Sequence, residues 1–126
     1  MTPCNNCPFK RNMDDGCTQS GFKSGAVEVF EDQILKGNKF ICHKVTGTKI
    51  TTPKETVVNT VYFYSGGVHD NEICKGFVFT LIKDCENNSK PLPDWIRNLI
   101  NQGKINLSEV LSNDNICDSF NEIERF

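Results

Sequence analysis

Four cysteines constrain this chain more than any other feature of its sequence. Cys4 and Cys7 form a C-x-x-C pair within the first ten residues, and Cys42 and Cys74 follow far along the chain. Four thiolates are the number that a tetrahedral zinc ion or a [4Fe–4S] cluster requires. The pattern predicts that Cys4, Cys7, Cys42 and Cys74 converge on one metal centre around which the fold closes.

The cysteine count also bears on the compartment. Seven cysteines are an odd number, and the start Met1-Thr2-Pro3-Cys4 has neither a basic nor an apolar region of an export signal. We therefore expect a cytoplasmic protein, in which thiols are more often metal ligands than disulfide partners. Catalytic or redox thiols, disulfides and inert buried cysteines remain alternatives.

The spacing of the ligands favours a [4Fe–4S] cluster over zinc. Zinc ribbons and fingers usually bring together two close pairs, whereas here one close pair meets two single cysteines. Pro8 after Cys7 is also typical of ferredoxin-like Cys-Pro endings. His43 has three interpretations: a ligand in a Cys₃His zinc site, a hydrogen-bond donor to a ligand sulfur, or a structural histidine.

The other polar and sulfur-bearing candidates have simpler interpretations. Cys17 lies in the same N-terminal stretch as Cys4 and Cys7 and is an alternative ligand. Cys85 and Cys117 adjoin apolar segments and are predicted to be small buried side chains. His69-Asp70-Asn71-Glu72 contains groups that can bind metal or transfer protons, but the composition favours a solvated turn.

The predicted fold is α+β: a small single domain with several helices around a short sheet and an irregular N-terminal loop ordered by the metal. The domain spans residues 1–126, of which 86–126 form either part of the core or a helical C-terminal appendage. Residues 1–23 are the irregular loop. Periodicity and turn residues predict the other elements: a helix at 25–36, extended segments at 39–45 and 56–64, a helix favoured over a buried strand at 72–85, and helices at 93–102, 107–111 and from Ser119 onward.

Within these elements, three details follow from sequence position. The first helix should present a stripe of Ala26, Phe30 and Ile34 that Val27 and Leu35 widen. Cys74 should lie in the first turn of its helix, where the helix dipole and unpaired N–H groups favour a thiolate. Ser119 to Glu122 should form a capping box.

Charge gives no overall preference for an anionic partner, because 14 basic residues oppose 16 acidic ones. Seven basic residues of the N-terminal half nevertheless crowd near the proposed ligands and could form a local nucleic-acid surface. They are Lys10, Arg11, Lys23, Lys39, Lys44, Lys49 and Lys54. No apolar run is long enough for a membrane span, so the expected partners are an unidentified protein or a nucleic acid.

The motifs together resemble a small uncharacterised family of phages and bacteria. The resemblance covers nearly the whole chain and lies in Cys4–Lys10, Phe40–Lys44, Cys74–Phe77 and the ending Cys117–Glu122. It implies the four cysteines and His43 as the site and implies no established activity. The chain departs from the family pattern at Lys10 and Lys75, and residues 46–72 are longer than usual.

These observations predict a small cysteine-ligated metal protein with a structural, interaction or regulatory role, phage-encoded in a host cytoplasm or bacterial. One alternative is an iron–sulfur or zinc-dependent enzyme or redox protein, and another is a structural zinc protein that contacts nucleic acid. The chain has no phosphate loop, dinucleotide motif or nucleophile–base motif. A thiol oxidoreductase using Cys4 and Cys7 would lack the strand-to-helix setting of that class.

Overall fold

The computed structural model of the chain describes Phe9 and residues 26–41, 63–64 and 69–123. Except for Phe9, the predicted N-terminal loop lies outside these residues, as do residues 42–45 and 56–62 of the two predicted extended segments. The described residues are mostly helical; the several helices of the predicted α+β fold are present, and its sheet amounts among these residues to one pair of two-residue strands. None of the helices in these ranges has the length and apolar character needed to cross a membrane.

The first helix, α1 (Ala26–Leu35), is confirmed, and its end has a clear cause. Gly37 adopts a left-handed φ of 76°, a conformation that glycine tolerates because it lacks a Cβ. Its N–H donates to the Ile34 carbonyl, and the Asn38 N–H donates to the Gln33 carbonyl, each at 3.0 Å. These two bonds form a Schellman motif that satisfies carbonyls left without helical partners.

The predicted apolar stripe of α1 is correct at Phe30 and wrong at Leu35. Phe30 is fully buried and Ile34 is half-buried against the core, but Leu35 is 87% exposed. Each residue advances the helix by about 100°, so Leu35 has already turned away from the core at the point where α1 ends.

Two short strands follow. In the extended segment that begins at residue 39, β1 (Lys39–Phe40) pairs antiparallel with β2 (Phe63–Tyr64), Phe40 lying opposite Phe63. Ile41 then makes an isolated antiparallel bridge with Ile73, and the Phe40 carbonyl accepts a hydrogen bond from the Cys74 N–H at 2.8 Å. One short extended segment therefore contacts two distant parts of the chain.

The segment with ambiguous periodicity is the central helix, α2 (Lys75–Asn87). It begins later than predicted, because Ile73 is taken by the bridge to Ile41 and a 3₁₀ turn at Asp70–Glu72 precedes it. Cys74 is therefore the N-cap of α2 and does not lie in its first turn. The helix is buried on most of its surface, which explains why its apolar residues do not form a single stripe.

The C-terminal helices α3 (Asp94–Asn101) and α4 (Leu107–Ser112) are close to their predicted bounds. The predicted last helix is a 3₁₀ turn, Phe120–Ile123, within the described residues. Its capping differs from the predicted box by one residue: the Glu122 carboxylate accepts a hydrogen bond at 3.0 Å from the backbone N–H of Asp118, and Ser119 is not the donor. The observed hydrogen bond therefore spans four residues, one more than the three that separate the partners of a capping box.

The helices, the strand pair and the final turn contribute to one hydrophobic cluster. Its centre is a group of phenylalanine rings packed edge-on or stacked with centroids 5.0–6.3 Å apart, the range in which aromatic pairs attract each other. We call it the aromatic cluster; its members are Phe9, Phe30, Phe40, Phe63, Phe77 and Phe120. Residues 94–123 add Ile96, Leu99, Val110, Ile116 and Phe120 to the same buried cluster.

A buried lysine ties the C-terminal loop to α2. Lys83 is 3% exposed, and its ammonium donates to the carbonyls of Asn113 and Ile116 at 2.6 and 2.8 Å. It also pairs with the half-exposed Asp118 carboxylate at 3.0 Å. The three contacts supply the partners that a buried ammonium needs, so Lys83 fixes the path of the chain between α4 and the final turn.

We expect Lys83→Met to lower the free energy of unfolding by about 2–3 kcal/mol, because it leaves buried carbonyl acceptors without a donor. Chemical denaturation measures this loss. Lys90→Met is the control: the Lys90 side chain is about half exposed in its ion pair with Asp84, so the substitution should change stability by about 0.5 kcal/mol or less. Equal losses in both variants would contradict the role assigned to Lys83.

Candidate metal centre

Of the predicted ligands, the structure describes Cys74. The other three, Cys4, Cys7 and Cys42, lie outside the described residues, together with His43 and the alternative ligand Cys17. The structure therefore shows the surroundings of Cys74 and of two residues close in sequence to the other cysteines, Phe9 and Ile41.

Cys74 is buried, with 1% of its surface exposed, and its backbone is held on both sides. Its N–H donates to the Phe40 carbonyl at 2.8 Å, and its carbonyl accepts from the Val78 N–H at 3.1 Å, the first hydrogen bond of α2. As the N-cap of a helix of 13 residues, Cys74 stands at the positive end of the helix dipole. This position favours a thiolate, the form of cysteine that binds metals.

Ile41, the residue directly before Cys42, lies next to the start of α2. Ile41 and Ile73 form an antiparallel bridge, and both side chains are fully buried. Cys42 follows Ile41 directly, and Cys74 follows Ile73 directly. The residues immediately before these two cysteines are therefore bridge partners.

Phe9, two residues after Cys7, is the described residue nearest in sequence to the Cys4 and Cys7 pair. Phe9 is fully buried, and its ring lies 5.4 Å from that of Phe40 and 6.1 Å from that of Phe77, between centroids. Its carbonyl accepts a hydrogen bond from the Cys117 N–H at 2.9 Å. Phe9 thus packs against Phe40, the residue before Ile41, and against Phe77, which lies about one helical turn after Cys74.

Within the described ranges, no three His, Cys, Asp or Glu side chains come together in an arrangement that could hold a metal ion. Only one of the four predicted cysteine ligands, Cys74, lies within these ranges. The ligand set therefore remains a prediction.

Cys85 and Cys117 are buried thiols, as predicted, and among the described residues neither is part of a disulfide. The Cys85 thiol donates to the Pro91 carbonyl at 3.7 Å and lines a half-open cleft of about 410 Å³ between α1 and the end of α2. Burial raises the pKa of the Cys85 thiol, and the neighbouring Asp84 carboxylate raises it further. Less thiolate makes Cys85 a poorer ligand and nucleophile, which fits a packing role.

The prediction of a solvated turn at residues 69–72 is confirmed. His69 and Asn71 are exposed, and Glu72 accepts a hydrogen bond at 2.9 Å from the His69 N–H. The Asp70 carboxylate pairs with the Lys104 ammonium at 2.5 Å. That hydrogen bond is the main cause that lowers the pKa of Asp70, with smaller contributions from the charges of Lys104, Lys39 and Lys75.

The basic face predicted from the N-terminal half is described at one position, Lys39; the other six basic residues lie outside the described ranges. Sequence reasoning missed that Lys75 and Lys104 join Lys39 around Asp70. No local signal could have shown this, since the three lysines come from three separate elements.

Comparisons with known proteins leave the family open. No protein-family model, curated protein or solved structure matches the chain. The resemblance to a phage and bacterial family therefore stays a prediction.

Proposed function

We propose that this chain is a small metal protein in which Cys4, Cys7, Cys42 and Cys74 hold one metal centre with a structural role. A [4Fe–4S] cluster is preferred over zinc because one close pair and two single cysteines make up the ligand set. His43 is proposed as a hydrogen-bond donor to a ligand sulfur or as an alternative ligand.

The observation that carries the proposal is a pair of contacts: the Phe9 ring packs on Phe40 and Phe77, and Ile41 bridges to Ile73, the residue before Cys74. Consecutive Cα atoms are about 3.8 Å apart, and Cys7 and Cys42 stand only two residues and one residue from these anchors. Three stretches that are distant in sequence are thus held together by the bridge of Ile41 to Ile73 and the rings around Phe9.

The chemistry of Cys74 fits a ligand. Its sulfur belongs to a buried residue at the N-terminus of α2, where the first-turn N–H groups and the helix dipole favour a negatively charged sulfur. A cluster bound there would supply one-electron chemistry, and a zinc ion would supply a crosslink. The chain's own part is to hold the N-terminal segment against the aromatic cluster.

A structural role is proposed over catalysis for a physical reason. The N-terminal segment is rich in polar residues and glycine and offers few apolar contacts of its own, so metal binding would provide folding free energy that the sequence lacks. Such a centre would serve an interaction or regulatory protein of a phage or bacterium, in a reducing compartment such as the cytoplasm.

Metal analysis of protein purified without oxygen tests the proposal. We expect a brown protein with about four iron and four sulfide per chain for a [4Fe–4S] cluster, or a colourless protein with about one zinc for the alternative. The absorption spectrum and the three elemental assays are made on the same sample. A chain that folds and contains neither metal after anaerobic purification and reconstitution would refute a metal centre.

A further inference from the structure

A cluster of positive charge surrounds the Asp70 turn. Lys104 pairs with the Asp70 carboxylate, and the Lys75 ammonium donates to the Asp70 carbonyl at 3.2 Å. Lys39 is close enough to lower the pKa of Asp70 through its charge. The turn itself supplies two acidic residues, Asp70 and Glu72, so three ammonium groups outnumber two carboxylates although the whole chain has a net charge of −2.

The fold gathers these lysines from separate elements. Lys39 lies on β1, Lys75 is the first residue of α2, and Lys104 follows the end of α3. The start of α2 adds the positive end of a helix dipole. Anions are therefore favoured at this surface by both side chains and backbone.

An aromatic ring lies beside the charges. The Trp95 indole on α3 is half-buried, and it stacks on Phe77 at an interplanar angle of 7° with centroids 6.5 Å apart. The Lys39 ammonium lies 5.2 Å from the centroid of the Trp95 ring. The stacking on Phe77 orients the indole, and the Lys39 side chain covers it.

We propose that Lys39, Lys75, Lys104 and Trp95 form a surface that binds single-stranded nucleic acid. The lysines contact phosphates, and a base stacks on the indole in the place of the Lys39 ammonium, which moves to a phosphate. The exchange is favourable because base–aromatic stacking is stronger than an exposed cation–π contact. An acidic peptide would use the lysines and leave the indole without a partner, which is why a nucleic acid is the better fit.

The proposal extends the predicted nucleic-acid partner from Lys39 to residues of three other elements, and it does not depend on the metal. Metal content and nucleic-acid binding are measured separately, so either proposal can fail alone. Lys75 is left unchanged in the test because it adjoins Cys74.

Trp95 provides the measurement, because it is the only tryptophan of the chain. The full-length protein is titrated at low ionic strength with an oligodeoxythymidine of about 20 nucleotides, long enough to cover a small binding site. We expect saturable quenching of Trp95 emission. The logarithm of the binding constant should fall linearly with the logarithm of the salt concentration.

Two lysines provide a matched pair of variants. Lys104 and Lys90 have side chains 49% and 51% exposed, and each pairs with one aspartate, but Lys90 lies beyond the opposite end of α2. Lys104→Gln should weaken binding about 3- to 10-fold and reduce the salt slope by about 0.7, the value for one phosphate contact on a single strand. Lys104→Arg should restore binding, and Lys90→Gln should leave it unchanged.

Four results would overturn the proposal. They are an absence of binding, binding that leaves Trp95 emission unchanged, equal effects of Lys104→Gln and Lys90→Gln, and equal quenching by polyglutamate at the same charge concentration. The second result would assign binding to other basic residues, and the last would assign the surface to an acidic protein partner.

Discussion

Cys74→Ser is expected to abolish metal binding and to unfold the domain at much lower denaturant concentration. A structural metal contributes about 10 kcal/mol or more of binding free energy that only the folded chain can use. The total stability of a domain is about 5–15 kcal/mol, so losing one ligand removes a large share of it. Metal content after anaerobic purification and the midpoint of chemical denaturation measure the two effects.

The chain offers two controls that are almost identical in burial. Cys74, Cys85 and Cys117 are 1%, 5% and 1% exposed. Cys85→Ser and Cys117→Ser each place a hydroxyl in a buried site and should reduce stability by about 1–3 kcal/mol, with metal content unchanged. Because the same atom is replaced at three similarly buried positions, a difference in metal content reports ligation and not burial.

Two results, in each of which the three variants behave alike, would contradict the ligand set. If all three serine variants retain the metal, Cys74 is not a ligand, and Cys17 becomes the candidate for the fourth position. If all three lose the metal together with the fold, the effect is general destabilisation of the core.

The helices of this chain were predictable because their signals are local. In α1, the apolar spacing predicts the helix and Gly37 predicts its end. In α3, the apolar pattern from Trp95 to Ile100 predicts the helix. The start of α2 was not predictable from residues 72–85 alone. It depends on Ile73 pairing with Ile41, a contact across the fold that local periodicity does not record.

In the candidate sites, too, some features follow from local sequence and others only from contacts across the fold. The type and number of the proposed ligands follow from the cysteine pattern, but the packing of Phe9 on Phe40 and Phe77 and the bridge of Ile41 to Ile73 are properties of tertiary packing. The surface around Asp70 depends even more on tertiary packing, since Lys39, Lys75 and Lys104 share no sequence motif and come near Asp70 only through the fold.

Phe9→Ala and Phe30→Ala provide the sharpest test of how the N-terminal segment is held. Both rings are fully buried, and both pack against Phe40, Phe77 and Phe120. Each substitution should lower the free energy of unfolding by about 3–5 kcal/mol through lost burial and the cavity left behind. Chemical denaturation should therefore find the two variants similarly destabilised.

The two variants should differ in how they hold the metal. Phe9 stands two residues from Cys7, so its removal should loosen the attachment of the sequence that contains the proposed ligands Cys4 and Cys7. Phe30 lies on α1, which carries none of the proposed ligands. We expect metal release to a chelator to be about tenfold faster in Phe9→Ala than in Phe30→Ala, the scale on which supporting residues affect metal affinity. The milder pair Phe9→Leu and Phe30→Leu serves if the alanine variants unfold. Equal release rates at equal stability would show that Phe9 is a core residue with no part in holding the metal centre.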